Sequence, residues 1–177
     1  TRPEPAPLRL FAAIAIVVLL WTASIGAGRT FFNLYLDSAL GVSTPQIGLL
    51  VAAGQLMSVP AALLLPILIR RVGRGNAAGL GFLGSALAML PLALIPNWGA
   101  AGAAFMVLSV FAAIIEPAFS MFSLSLVSDS WRPAMSGVAT TFGAASFGLI
   151  ALAGGYVIAG FGYEILFLAS GGISAIG

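Results

Sequence analysis

"LFAAIAIVVLLWTASIGAGRTFFNLYL" (residues 10–36) decides the fold, because it holds a single charged side chain, Arg29. A helix rises 1.5 Å per residue, so roughly 20 apolar residues cross the ~30 Å hydrocarbon core of a bilayer. This run is long enough. It lacks the polar–apolar alternation of a barrel strand, and backbone groups in hydrocarbon must bond within their own segment. A membrane-spanning helix is the reading that remains.

The whole sequence agrees. Of its 177 residues, 60% are hydrophobic and 7% charged, with a mean hydropathy of +1.12, whereas a soluble domain carries roughly a quarter charged residues. Seven arginines, no lysine and five acids cannot cover a globule in water. The expectation is an all-α integral membrane protein. The net charge of +2 does not point to nucleic acid, since no basic run is interleaved with stacking aromatics. There is no cysteine and no histidine, which removes the thiolate nucleophile, the commonest metal ligand and the commonest general base. Serines are present without an activating base, so no enzyme, metal or cofactor is expected.

Working outward from the first run, further apolar segments cover residues 45–69, 77–95, 100–127 and 133–159. A sixth, from Tyr163, is cut at Gly177, too short to span alone. Residues 1–9, "TRPEPAPLR", are Pro-rich without a cleavage pattern and read as a cytoplasmic linker or tail ahead of a six-helix unit at 10–177. Beginning at Thr1 and ending inside an apolar run, the sequence reads as part of a longer polypeptide. "GVSTPQIG" places Ser43 three residues before Gln46, the spacing of a capping box, with Pro45 suited to a first helical turn. "IPNWGA" and "GFGYE" read as tight turns.

The arginines set an orientation. Arg2 and Arg9 precede the first helix; Arg70, Arg71 and Arg74 follow the second; Arg132 follows the fourth. All six fall on one side if every helix crosses, so by the positive-inside rule the N-terminus and these loops are cytoplasmic in a multi-pass cell-membrane protein. Glycine and alanine in "AAGLGFLGSA" and "ALAGGYVIAG" allow close helix packing.

Arg29 is the exception. Steps of four, three, four and four from Thr22 give Gly26, Arg29, Asn33 and Asp37, a polar stripe on one helix face. The stripe faces a cavity or partner helices on one reading. On the other, Arg29, about 28 Å along the helix from Leu10, extends to the headgroups or is neutralised by Asp37. Depth separates the two, because a charge at the bilayer centre costs at least ~2.5–3.5 kcal/mol and much less near an interface. Glu116, in "FAAIIEPAFSMF", adjoins Pro117, which removes a donor and frees the Ala113 carbonyl, so a bend is expected there. A carboxylate in that setting is paired, hydrated or protonated. It binds a proton or cationic group, or it is a structural acid bonded to nearby serines. Counting along the two helices puts Arg29 and Glu116 at different depths, which argues against a direct pair. Gln55 fits an interhelical hydrogen bond or a substrate contact.

At "PILIRRVGRG" (residues 66–75) the chain resembles the major facilitator superfamily. That family carries Gly, three residues, Asp, a basic residue, any residue, Gly and two basics between its second and third helices. Arg71, Gly73 and Arg74 match, while Pro66, Arg70 and Gly75 depart from the pattern. "SDSWRPAMSG" looks like the family's link between the fourth and fifth helices, and "GGYVIAGFGYEILF" like its turn into the sixth. The resemblance implies one six-helix half, more in keeping with the C-terminal half, with its first helix lining a central cavity shared with a second half. It implies a secondary active transporter moving a small solute by alternating access, with substrate near the midplane. The aspartate absent at position 70 removes part of the family's charge pairing; the remaining arginines pair with Asp129, or set topology and touch lipid phosphates. The glycine-proline signature of antiporters is absent from the fifth helix. The alternative is a non-transporting assembly factor or structural subunit on the same fold. The partners implied are the lipid bilayer, a second six-helix half and an unidentified small solute.

Overall fold

A computed structural model describes residues 7–176. The expected linker at residues 1–9 lies mostly outside them, and so do Arg2 and Gly177. Arg9 falls inside the first helix rather than ahead of it.

The described residues are helical with no strand. Helix α1 covers Leu8–Leu34 and continues through a π-helical turn, Tyr35–Ala39. Helix α2 covers Thr44–Val72, α3 Arg74–Leu94 and α4 Trp98–Ser125. After a short 3₁₀ turn, Asp129–Trp131, helical structure runs from Arg132 to Ile176 and is broken at Gly162. We call the two parts α5 (132–161) and α6 (163–176). Five helical segments are long and apolar enough to cross a membrane, the arrangement of a multi-pass membrane protein.

The helix ends follow from local chemistry. Ser43 and Gln46 form the expected capping box at the start of α2, with the Ser43 amide donating to Gln46 Oε1 at 3.3 Å. Asn97 caps α4 by accepting from the Gly99 amide at 2.7 Å. Gly73, at φ +85°, separates α2 from α3, and Gly162, at φ +82° and ψ 176°, separates α5 from α6. A side chain at such an angle is strained, so glycine marks both breaks. Helix α4 passes through Pro117, and α2 through Pro60 and Pro66, without losing continuity.

Contacts fix the directions of the helices. Along α1, Leu19, Gly26 and Phe31 meet Ser146, Phe147 with Ile150, and Gly154, so α5 runs parallel to it. Beyond Gly162 the order reverses. Tyr163 meets Tyr35 and Ser38, and Ser170 meets Ser24. Helix α6 therefore returns antiparallel along α1. It also packs on α3, where Ser174 Oγ donates to the Phe82 carbonyl at 3.1 Å.

Helix α1 packs on α3 and α4 as well as on α5 and α6. Its Phe32 stacks on Phe105 of α4 with ring centroids 4.1 Å apart. Its Trp21 joins Phe82 of α3 and Phe119 of α4 in an aromatic cluster. Close approach is made by glycine. A Cβ at Gly81 or Gly84 of α3 would run into Ile115 or Phe111 of α4, and one at Gly154 of α5 into Phe31. Outward faces carry Leu56, Leu63, Leu152 and Phe161, apolar and exposed. In a bilayer such residues need no other cover.

Candidate functional site

Three helices contribute faces of the same period to one cavity of ≈460 Å³. Val18, Trp21, Thr22, Ile25 and Arg29 come from α1; Ala112, Glu116, Phe119, Ser120 and Ser123 from α4; Ser136, Thr140, Gly143 and Phe147 from α5. Each set recurs at steps of three and four, which keeps its members on one side of a helix. The two charges singled out within apolar segments of the sequence, Arg29 and Glu116, thus line the same space.

They do not pair. Among the described residues the ion pair within 4.0 Å is Arg132–Asp129, at 2.7 Å. Neither the Arg29 guanidinium nor the Glu116 carboxylate has a hydrogen-bond or ion-pair partner among them. Arg29 is half-buried with its Nε enclosed and unsatisfied, and the indole Nε1 of Trp21, on the same wall, is also enclosed without an acceptor. Glu116 is exposed. No serine bonds to it: Ser123 Oγ donates to the Ser120 carbonyl at 3.0 Å instead.

The α1 stripe divides. Thr22 and Arg29 enter the cavity, and Gly26 packs under Phe147 and Ile150. Asn33 and Asp37 instead line an open groove with Thr30, Thr44, Ile47 and Gly48, between the C-terminal part of α1 and the N-terminal part of α2. The cause is geometric. A step of four advances about 400° around an α-helix, so Asn33 lies about 40° around from Arg29, and Asp37 follows in the π-helical turn.

Gln55 is exposed, lines neither space and makes no side-chain hydrogen bond among the described residues. Its neighbour Gly54 meets α4, against Phe105 and Ser109. Of the two roles read for Gln55, an interhelical bond is not formed among the described residues. In the loop motif, Arg71, Gly73 and Arg74 are exposed, and Asp129 bonds Arg132 rather than Arg70, Arg71 or Arg74.

Sequence reasoning did not single out Ser120, Ser123, Ser136, Thr140 or Trp21. The signal was present for α4, where Glu116, Ser120 and Ser123 repeat the spacing seen on α1.

Comparison of the chain with known protein families, with curated proteins and with solved structures finds no match.

Proposed function

We propose that this chain is one six-helix half of a secondary transporter of the major facilitator type, and that the cavity between α1, α4 and α5 is its solute path. The observation that carries this reading is the placement of Arg29 and Glu116, unpaired, in the wall of one cavity of solute size. Unpaired charges in a hydrocarbon-spanning bundle are costly and mark pathways for ions or polar solutes. The exposed apolar faces of α2 and α5 suit contact with a companion half as well as with lipid. Exposed Arg70, Arg71, Arg74 and Arg132 cluster in the two connections at the N-terminal end of α1, which supports a cytoplasmic placement of that end in the cell membrane.

A substrate-free labelling experiment tests alternating access. The 177 residues contain no cysteine, so Thr140→Cys in the full-length protein supplies a single thiol from this half in the cavity. Right-side-out and inside-out vesicles are treated with a membrane-impermeant maleimide. Alternating access predicts labelling in both orientations. Labelling from one face only, or from neither, contradicts it and favours a non-transporting membrane subunit.

A further inference from the structure

We infer that the cavity selects a zwitterionic solute of amino-acid size with an apolar body; the inference rests on the solute-path reading above. Three features of the wall lead to it.

The first is charge. Arg29 supplies a permanent cation and Glu116 a carboxylate, on different helices, with no partner for either among the described residues. A lone anion would satisfy Arg29 and leave the carboxylate beside it; a lone cation would do the reverse. A neutral solute would strip water from both and replace neither interaction. Burying an uncompensated charge is the expensive outcome in each case. A solute carrying both charges compensates both.

The second is placement. Helices α1 and α4 are antiparallel, with Gly28 level with Leu108 and Trp21 level with Phe119. Interpolating between these contacts puts Glu116 about six residues, or roughly 9 Å, from Arg29 along the bundle axis. Each Cα–Cβ bond tilts toward the N-terminus of its own helix. Arg29 therefore leans back along α1 and Glu116 back along α4, toward one another. The groups converge without meeting within 4.0 Å, which leaves a gap for a molecule bearing an anion at one end and a cation at the other.

The third is the rest of the wall. Trp21, Phe119 and Phe147 supply aromatic surface, with Val18 and Ile25 beside them. A volume of ≈460 Å³ lies within the roughly 300–1,000 Å³ range of small-molecule sites. It admits an amino acid with a large apolar side chain.

The test uses three molecules that share one skeleton: L-phenylalanine, 3-phenylpropionate, which lacks the ammonium, and phenethylamine, which lacks the carboxylate. Each is titrated against maleimide labelling of Thr140→Cys in the full-length protein in proteoliposomes. L-Phenylalanine should slow labelling at concentrations roughly 10- to 100-fold below either analogue, the range expected for losing one charge-assisted hydrogen-bonded contact. Arg29→Gln should bring L-phenylalanine down to the level of phenethylamine, and Glu116→Gln down to that of 3-phenylpropionate. If a variant does not fold, the three molecules on the Thr140→Cys protein alone decide. Equal protection by a singly charged analogue, or labelling that none of the three slows, overturns the zwitterion and leaves the solute path standing. A thiol that never labels removes both.

Discussion

At the scale of the residue, the informative fact is what Arg29 and Glu116 lack. A charge held for structural reasons inside a bundle is paired, and breaking a buried pair costs about 3–5 kcal/mol. Glu116 touches neither a cation nor a serine hydroxyl at bonding distance. Its replacement by glutamine should therefore leave the unfolding free energy in mild detergent within about 0.5 kcal/mol of the wild type, as for an ordinary exposed site. A loss of several kcal/mol on denaturant titration would make Glu116 a structural acid after all. The polar groups that do hold helices together are serines. Ser24 Oγ donates to the Ser170 carbonyl at 2.6 Å, and Ser146 Oγ to the Leu19 carbonyl at 2.7 Å. Each crosses between helices, a contact worth about 0.6–2 kcal/mol in a membrane setting.

At the scale of the element, small residues decide how close the helices come. Gly154 and Gly155 are adjacent on α5, yet only Gly154 faces Phe31 of α1; a Cβ at Gly155 would meet nothing within 4 Å. Gly154→Ala should destabilise the bundle by about 1–3 kcal/mol through overpacking. Gly155→Ala should stabilise it by up to about 1 kcal/mol through helix propensity. Equal effects of the two in an unfolding titration would mean that α5 does not seat on α1 as described. This level of the fold was partly legible in the sequence. Apolar runs, the Ser43–Gln46 box and the break at Gly162 follow from local rules, because spanning length, capping and backbone angle are properties of a few neighbouring residues. The ends shifted where a polar residue joined a helix anyway: Arg9 entered α1 and Arg74 opened α3.

At the scale of the whole molecule, the sequence was less informative, because the rotation of one helix against another is set by packing rather than by local pattern. Nothing along α1 alone says that Gly28 seats against Met89 of α3 and Leu108 of α4. That contact turns Thr22 and Arg29 toward α4 and α5. It leaves Asn33 and Asp37 facing α2. The polar face of α4, built from Glu116, Ser120 and Ser123, carried a readable period but no sign of which neighbour it would face. Helix α2 shows the same: Gly54 makes a contact with α4, while its neighbour Gln55 is exposed. What emerges is a bundle with two kinds of outer surface, broad apolar faces on α2 and α5 and, beside α1, a recess that sets two charges in a largely apolar wall.

The central claim is that this recess holds water while the bundle sits in a bilayer. The most direct measurement compares the reactivity of single cysteines in the membrane-embedded full-length protein toward a charged, water-soluble thiol reagent. Ser120→Cys and Thr140→Cys lie in the recess; Leu63→Cys and Leu152→Cys lie on the exposed apolar faces of α2 and α5. The recess positions should react readily, and the leucine positions should stay unreactive in hydrocarbon. Silence at Ser120 and Thr140, with reaction at Leu63 or Leu152, would contradict the account.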